Sequence, residues 1–275
     1  MRIADYPPQE PLSENGQRYQ TTTLGLGRGI EGRDVSLGAH PCQALSLFEA
    51  NNPNGTVLAF LYGGGWTNGY KEMMAFMAPA LTVAGVTFAS IGYRLAPEFV
   101  FPTGWLDVAR GVSWLRQHVA KYGGDPRRIF IGGHSAGGHY AALLAVRRDW
   151  QRATGLPVSV IRGCLPVSGI YDFLPGNGMA QRPRFLGAAV LNQESPASPL
   201  SNILSRPPPF LLAHGENDFP HLVTQAKRME IALRAAGADV ERIVLPGRDH
   251  FEACYDVGDP AGPWIPVALD WLRHH

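Results

Sequence analysis

The feature that most narrows what this chain can fold into is the pentapeptide Gly133-His134-Ser135-Ala136-Gly137, together with what flanks it. Ile129-Phe130-Ile131 precedes it as a β-type run, and Ala141-Ala142-Leu143-Leu144-Ala145 follows it as a helical one. G-x-S-x-G between a strand and a helix marks a sharp turn that exposes a serine hydroxyl. The flanking glycines let two backbones approach, and the helix that follows aims its free N–H groups at negative charge developing beside the serine.

The rest of the chain keeps the same order. Residues 56–62, 86–93 and 128–133 are short apolar runs bounded by Gly, Pro or Asp, each followed by a helical pattern. Such near-continuous apolar strands are buried on both faces, as in a parallel sheet. Helical spacing runs over 71–84, 105–122, 136–147, 221–236 and 263–272. In the second of these Leu106, Val108, Val112, Leu115 and Val119 recur at near-helical intervals and Gly123-Gly124 ends the pattern. Further strands are predicted at 158–165, 209–214 and 240–245, with 42–48 as an early antiparallel strand. The alternation predicts an α/β fold over 1–275 as one domain, with a mostly parallel central sheet and helices on both faces. Residues 1–32, polar and rich in Gly, Pro and Thr, read as an arm over the body. Residues 173–203 break the periodicity and are too long for an ordinary connection, which points to a small cap or pocket wall.

Composition removes several classes of function. Of 275 residues, 45% are hydrophobic and 17% charged, which suits a packed core and not a disordered chain. Lys plus Arg number 24 against 23 acidic residues, a net charge of +1 without blocks, so nucleic acid and acidic membranes lose their electrostatic warrant as partners. Cys42, Cys164 and Cys254 are too scattered for a disulfide framework or a metal site and fit a reducing compartment. No apolar leader is visible and no apolar run approaches the ~20 residues of a membrane span, so a cytoplasmic location is expected. Gly27-Arg28-Gly29-Ile30-Glu31-Gly32 spells G-x-G-x-x-G, but Arg33-Asp34-Val35 after it reads as extended chain and not as the helix a dinucleotide site requires. The nine histidines fit no ligand spacing, so neither a metal nor a cofactor is expected. A second copy of the chain is the one macromolecular partner left open.

A serine nucleophile needs a base, and the base needs an orienting carboxylate. In this strand order the acid should follow a late strand and the histidine the last one. Asp218 closes the run 209–218, and His250 follows the run 240–245 through Pro246-Gly247-Arg248-Asp249. Glu216, two residues nearer the strand, is the competing acid, while Asp249 reads as a solvated loop charge and His139 and His214 as packing histidines. Tyr62-Gly63-Gly64-Gly65-Trp66 directly follows the first parallel strand, where main-chain N–H groups could form the loop half of an oxyanion hole, with the Ala136 N–H as the other half.

These residues together resemble the α/β-hydrolase superfamily, and within it the arylformamidase-like and hormone-sensitive-lipase-like esterases. The glycine loop with its tryptophan is similar to the HGG-x-W motif of those families, and Tyr93-Arg94-Leu95-Ala96-Pro97-Glu98 with Phe101-Pro102 to the YRLAPE segment of the lipase-like group. Tyr122-Gly-Gly-Asp-Pro126, Gly133–His139, Ser168-Gly-Ile-Tyr-Asp172 and Leu245-Pro-Gly-Arg-Asp-His-Phe251 look more like kynurenine formamidase and its relatives. The resemblance implies a triad of Ser135, Asp218 and His250, oxyanion donors at Gly64, Gly65 and Ala136, and hydrolysis of a carboxylic ester, or of an activated amide such as an aryl formamide, through an acyl-enzyme. Tyr62 departs from the histidine usual at that position. A catalytically silent binding protein and an acyltransferase are the alternatives. Tyr62, Trp66, His134, Phe173, Phe219 and Phe251 are the expected substrate contacts, because aromatics at the mouth of a parallel sheet would leave limited volume and favour short acyl groups.

Overall fold

The computed structural model describes residues 2–179 and 182–275. Its strands are β1 (Arg33–Ser36), β2 (Ala44–Phe48), β3 (Gly55–Leu61), β4 (Thr87–Ile91), β5 (Gly124–His134), β6 (Gly163–Val167), β7 (Phe210–Asn217) and β8 (Val240–Asp249). Among the described residues these form one sheet in the order β1-β2-β4-β3-β5-β6-β7-β8. The pairs β1–β2 and β2–β4 are antiparallel and all others parallel, so the predicted early antiparallel strand and the parallel body are both present. The central strands read as continuous apolar runs because they are covered on both faces: β3, β4 and β6 are buried almost throughout. Among the described residues no helix is long and apolar enough to cross a membrane.

Helix boundaries follow the sequence pattern closely, with instructive departures. The stretch predicted as helix over 71–84 is a 3-10 turn, Lys71–Met77, running into a short α-helix, Ala78–Val83, that opens on Pro79. In the helix Thr103–His118 the core face carries Trp105, Val108, Val112 and Leu115, whereas Leu106 points to solvent, 48% exposed. The true seam begins one residue earlier than the expected one, with the bulkier tryptophan on it. The strand expected from Val158 begins only at Gly163, where a Cβ would strike Trp271 at 2.5 Å.

The arm is more ordered than its composition implied. Residues Glu14–Leu26 form an α-helix, capped by Ser13, whose Oγ accepts from the Gly16 N–H at 3.2 Å. Only Tyr19 and Thr23, one turn apart, are buried, too few apolar positions to register as an amphipathic pattern. Ahead of it, Gln9 and Glu10 are stapled to the end of the glycine loop: the Gly69 N–H donates to Gln9 Oε1 at 2.8 Å and Asn68 Nδ2 to the Glu10 carbonyl at 2.6 Å.

The described residues of the excursion, 173–179 and 182–203, include the short helices Arg182–Leu186 and Glu194–Ala197. It is held by an aromatic cluster in which Trp66 stacks on Phe185 with centroids 4.3 Å apart, and Phe173 and His139 pack around them. Trp66 Nε1 donates to His139 Nδ1 at 3.1 Å, so His139 Nε2 carries the proton given to the Ala197 carbonyl at 2.7 Å. Trp66 and Phe173 were expected to touch substrate; both are buried in this cluster and anchor the excursion to the sheet instead.

Burial lowers the His139 pKa to about 3. Between the ordinary histidine range and that value the unfolded chain binds a proton that the folded chain refuses. This part of the stability is therefore complete above about pH 6.5 and is lost as the pH falls toward 3. Urea unfolding from pH 7 down to 4.5 should show a decline of at most ~1.4 kcal/mol per pH unit for one such histidine. His139→Gln should make that slope shallower, and equal slopes in the two proteins would contradict the assignment.

Candidate active site

Ser135 sits at the end of β5, between it and the helix Ala136–Val146, with φ +52° and ψ −117°. That backbone is unfavourable for a residue with a side chain, at on the order of 1–3 kcal/mol, and survives only where the surroundings impose it. The neighbours do. A Cβ on Gly133 would lie 2.4 Å from the Gly137 carbonyl carbon, and one on Gly137 would lie 2.3 Å from the Leu61 carbonyl oxygen. The glycines thus let β3, β5 and the helix meet, while the Ser135 N–H donates to the Val167 carbonyl at 2.9 Å and ties the turn to β6.

The late strands bring the two partners to this turn. His250 Nε2 lies 3.0 Å from Ser135 Oγ, and His250 Nδ1 lies 2.8 Å from Asp218 Oδ1. Because the carboxylate can only accept, Nδ1 carries the proton, Nε2 is the acceptor, and the serine hydroxyl donates to it. Asp218 accepts two further hydrogen bonds, from Ser168 Oγ at 2.5 Å and from the Phe219 N–H at 2.7 Å. Burial would raise its pKa, but the bonds from His250, Ser168 and Phe219 outweigh that and hold the carboxyl below its usual range. Glu216, the competing acid, faces away and accepts from the Gly247 N–H at 2.8 Å. A serine in this line can pass its proton to the imidazole as it attacks an electrophile, with the acid fixing the tautomer.

Within the segment 168–172 nothing in the sequence assigns Ser168 a role of its own. It follows β6 with φ +52°, which turns its hydroxyl toward Asp218, and only a structural neighbour 50 residues away reveals it.

Gly63, Gly64 and Gly65 line a cleft of about 400 Å³ together with Ser135 and His250. Gly64 (φ +141°) cannot be replaced without displacing Asn68, whose carbonyl oxygen would be 2.1 Å from a Cβ. Its own carbonyl accepts from the N–H groups of Thr67 at 3.2 Å and Asn68 at 3.0 Å, which curls the loop. Ala136 is the first residue of the helix after Ser135, where N–H groups have no intrahelical partner.

The expected substrate contacts divide. His134, Phe219 and Phe251 line the cleft, with the Phe219 ring 4.7 Å from that of His250. Tyr62 does not: it is wholly buried and stacked on Tyr93 at 4.3 Å, its hydroxyl donating to the Tyr93 carbonyl while the Tyr93 hydroxyl donates to the Tyr62 carbonyl. That reciprocal pair holds the base of the glycine loop. Tyr93 leads into Arg94, which forks onto the buried Asp107 at 2.8 and 2.9 Å, and the Ala96 N–H donates to the Trp66 carbonyl, so the segment 93–98 braces the loop from behind. The remaining lining comes from the arm, with Glu10, Leu12, Ser13 and Tyr19, and from the excursion, with Arg184, which pairs with Glu10. Nothing periodic in residues 1–32 marks these positions. Among the described residues no group of three or more His, Cys, Asp or Glu could hold a metal ion.

Comparison with known proteins agrees with this architecture. The carboxylesterase EstE1 from a metagenomic library superposes with a TM-score of 0.75 over 95% of each chain at 21% identity. A hyperthermophilic esterase from Pyrobaculum calidifontis gives 0.76 over 94% of this chain and 91% of that one at 20% identity. The shared fold is that of an α/β-hydrolase. In sequence, the chain is 33% identical to Esterase LipQ of Mycobacterium tuberculosis over 85% of its own length and 58% of the relative's. It is 30% identical to a probable isoprenylcysteine alpha-carbonyl methylesterase, ICMEL1, of Arabidopsis thaliana over 79% of its length and 50% of the relative's. The chain therefore spans half to three fifths of the length of these curated relatives. A family model matches residues 45–233, which include Ser135 and Asp218, and the chain belongs to the BD-FAE family.

Proposed function

We propose that the chain is a serine carboxylesterase. The observation that carries this reading is the line Asp218–His250–Ser135, closed by hydrogen bonds of 2.8 and 3.0 Å, with Ser135 and His250 lining the same cleft as Gly63–Gly65. In this reading Ser135 attacks an ester carbonyl as His250 takes its proton, and the backbone N–H groups of Gly64, Gly65 and Ala136 receive the charge that forms on oxygen. His250 then protonates the departing alcohol, and water, activated by the same imidazole, releases the acyl group. The names of the relatives, which are esterases and a methylesterase, support ester hydrolysis. The same acyl chemistry would open an aryl formamide, so both substrate classes belong in the test panel.

A cleft of about 400 Å³, with Leu12, Met73, Phe219 and Phe251 among its apolar surfaces, favours a compact acyl group. Each methylene that fits should add roughly 0.8 kcal/mol of binding, and one that collides with packed rings should lose roughly 1–3 kcal/mol. Across p-nitrophenyl esters of increasing chain length, kcat/KM should peak among the shortest acyl groups. A maximum among the long-chain esters would show an open lipid tunnel and end that part of the reading.

Two substitutions test the machinery. Ser135→Ala should fold normally and lose activity by on the order of 10⁶, since a triad acts as a unit; turnover near that of the unaltered chain would remove Ser135 from the mechanism. Asp218→Asn should lower kcat by about 10⁴ through the wrong imidazole tautomer. Glu216→Gln, remote from His250, should leave kcat little changed, and the opposite ranking would transfer the acid's role to Glu216.

A further inference from the structure

Beside the triad, at the lining of the same cleft, runs a second hydrogen-bonded line that the proposed mechanism does not use. Tyr19, from the helix Glu14–Leu26, places its hydroxyl 3.0 Å from His134 Nδ1 and 3.3 Å from Cys254 Sγ. His134 Nε2 in turn lies 2.8 Å from the backbone carbonyl of His250. All of these side chains are buried.

The direction of every bond in this line is determined. Burial, with His250 beside it, holds the His134 pKa well below its usual value, so the ring is neutral and has one N–H. A carbonyl can only accept, so that N–H is on Nε2 and points at His250. Nδ1 must then accept, the Tyr19 hydroxyl must donate to it, and Cys254 can only give its S–H to the tyrosine oxygen. The glycine loop leans on the same point: a Cβ on Gly63 would lie 2.7 Å from His134 Nδ1, and the Gly63 backbone also interacts with the Tyr19 hydroxyl.

The geometry points to Tyr19 as a positioning residue: through His134 its hydroxyl holds the backbone of His250, and so sets the reach of that imidazole to Ser135. The proposal rests on the serine esterase reading above. It makes one helix of the arm part of the reaction's geometry, joining the loop at Gly63, the turn at Ser135 and the loop that carries the base. The base must meet both the serine hydroxyl and the departing alcohol, so a displacement of ~1 Å there is felt in kcat.

The test is Tyr19→Phe, which keeps the ring and removes the donor, measured beside Cys254→Ala, which removes only the outermost bond. Tyr19→Phe should lower kcat roughly tenfold to a hundredfold with KM nearly unchanged. Cys254→Ala should keep kcat within about threefold of the unaltered chain. In proton spectra the resonance of His250 Nδ1–H should shift or broaden in folded Tyr19→Phe and stay in place in Cys254→Ala. Unchanged kcat and an unmoved His250 resonance in folded Tyr19→Phe would overturn the proposal, as would equal losses in the two variants. Should Tyr19→Phe fail to fold, two-bond proton–nitrogen correlation in the unaltered chain decides. A His134 protonated on Nε2 alone, with Nδ1 accepting, supports the line, and any other state overturns it. Failure of the esterase reading is separate, since it would appear as an unaltered chain inert to esters, while both spectral readouts stand without turnover.

Discussion

The left-handed backbone at Ser135 is the constraint on which the rest of the site depends. It raises the hydroxyl clear of the sheet, and nothing in a serine's own preferences supports it. What supports it is close approach: Gly133 and Gly137 admit the carbonyls of β3 and the start of the helix Ala136–Val146 at distances no side chain would allow. The parallel pairing of β3, β5 and β6 then fixes where that turn ends, with the Ser135 N–H bonded to the Val167 carbonyl on one side and Gly63 packed close against Ser135 on the other. Neighbouring parallel strands deliver their loops to the same edge, which is why a serine after β5, an aspartate after β7 and a histidine after β8 can converge.

Around that edge the chain uses buried polar contacts to hold loops that cannot hold themselves. The reciprocal Tyr62–Tyr93 pair fixes the base of the glycine loop, and the fork of Arg94 on Asp107 fixes the segment behind it. Ser168 fixes Asp218, and Trp66 with His139 fixes the excursion. Each of these groups would be costly to leave unpaired in the interior, by roughly 1–3 kcal/mol. The same penalty that makes them risky makes each loop's position unique.

The elements carrying strong local signals were legible in the sequence. The apolar runs of the central strands, the glycines around Ser135 and the chain order of Ser135, Asp218 and His250 each follow from short-range chemistry that a reader of the chain can see. The choice between Asp218 and Glu216 was not of that kind, because both lie at the end of one strand, and the path of β7 past its register shift turns one toward His250 and the other toward Gly247. Nor were the roles of the aromatics. Tyr62, Trp66 and Phe173 look from the sequence like the cleft-facing Phe219 and Phe251, and the difference lies only in which side of a loop each ring faces.

By itself, then, the sequence determined the α/β order, the sharp turn at Ser135 and the loop positions of its candidate partners, because strand burial, helix period and glycine geometry are local properties. Only the tertiary structure decided which side chains close the cleft and which brace it. Ser168 reaches Asp218 from 50 residues away, Tyr19 reaches His134 from 115, and Glu10 of the arm pairs with Arg184 of the excursion. Those contacts come from how separate elements pack, and no periodicity within any one segment encodes a partner that distant.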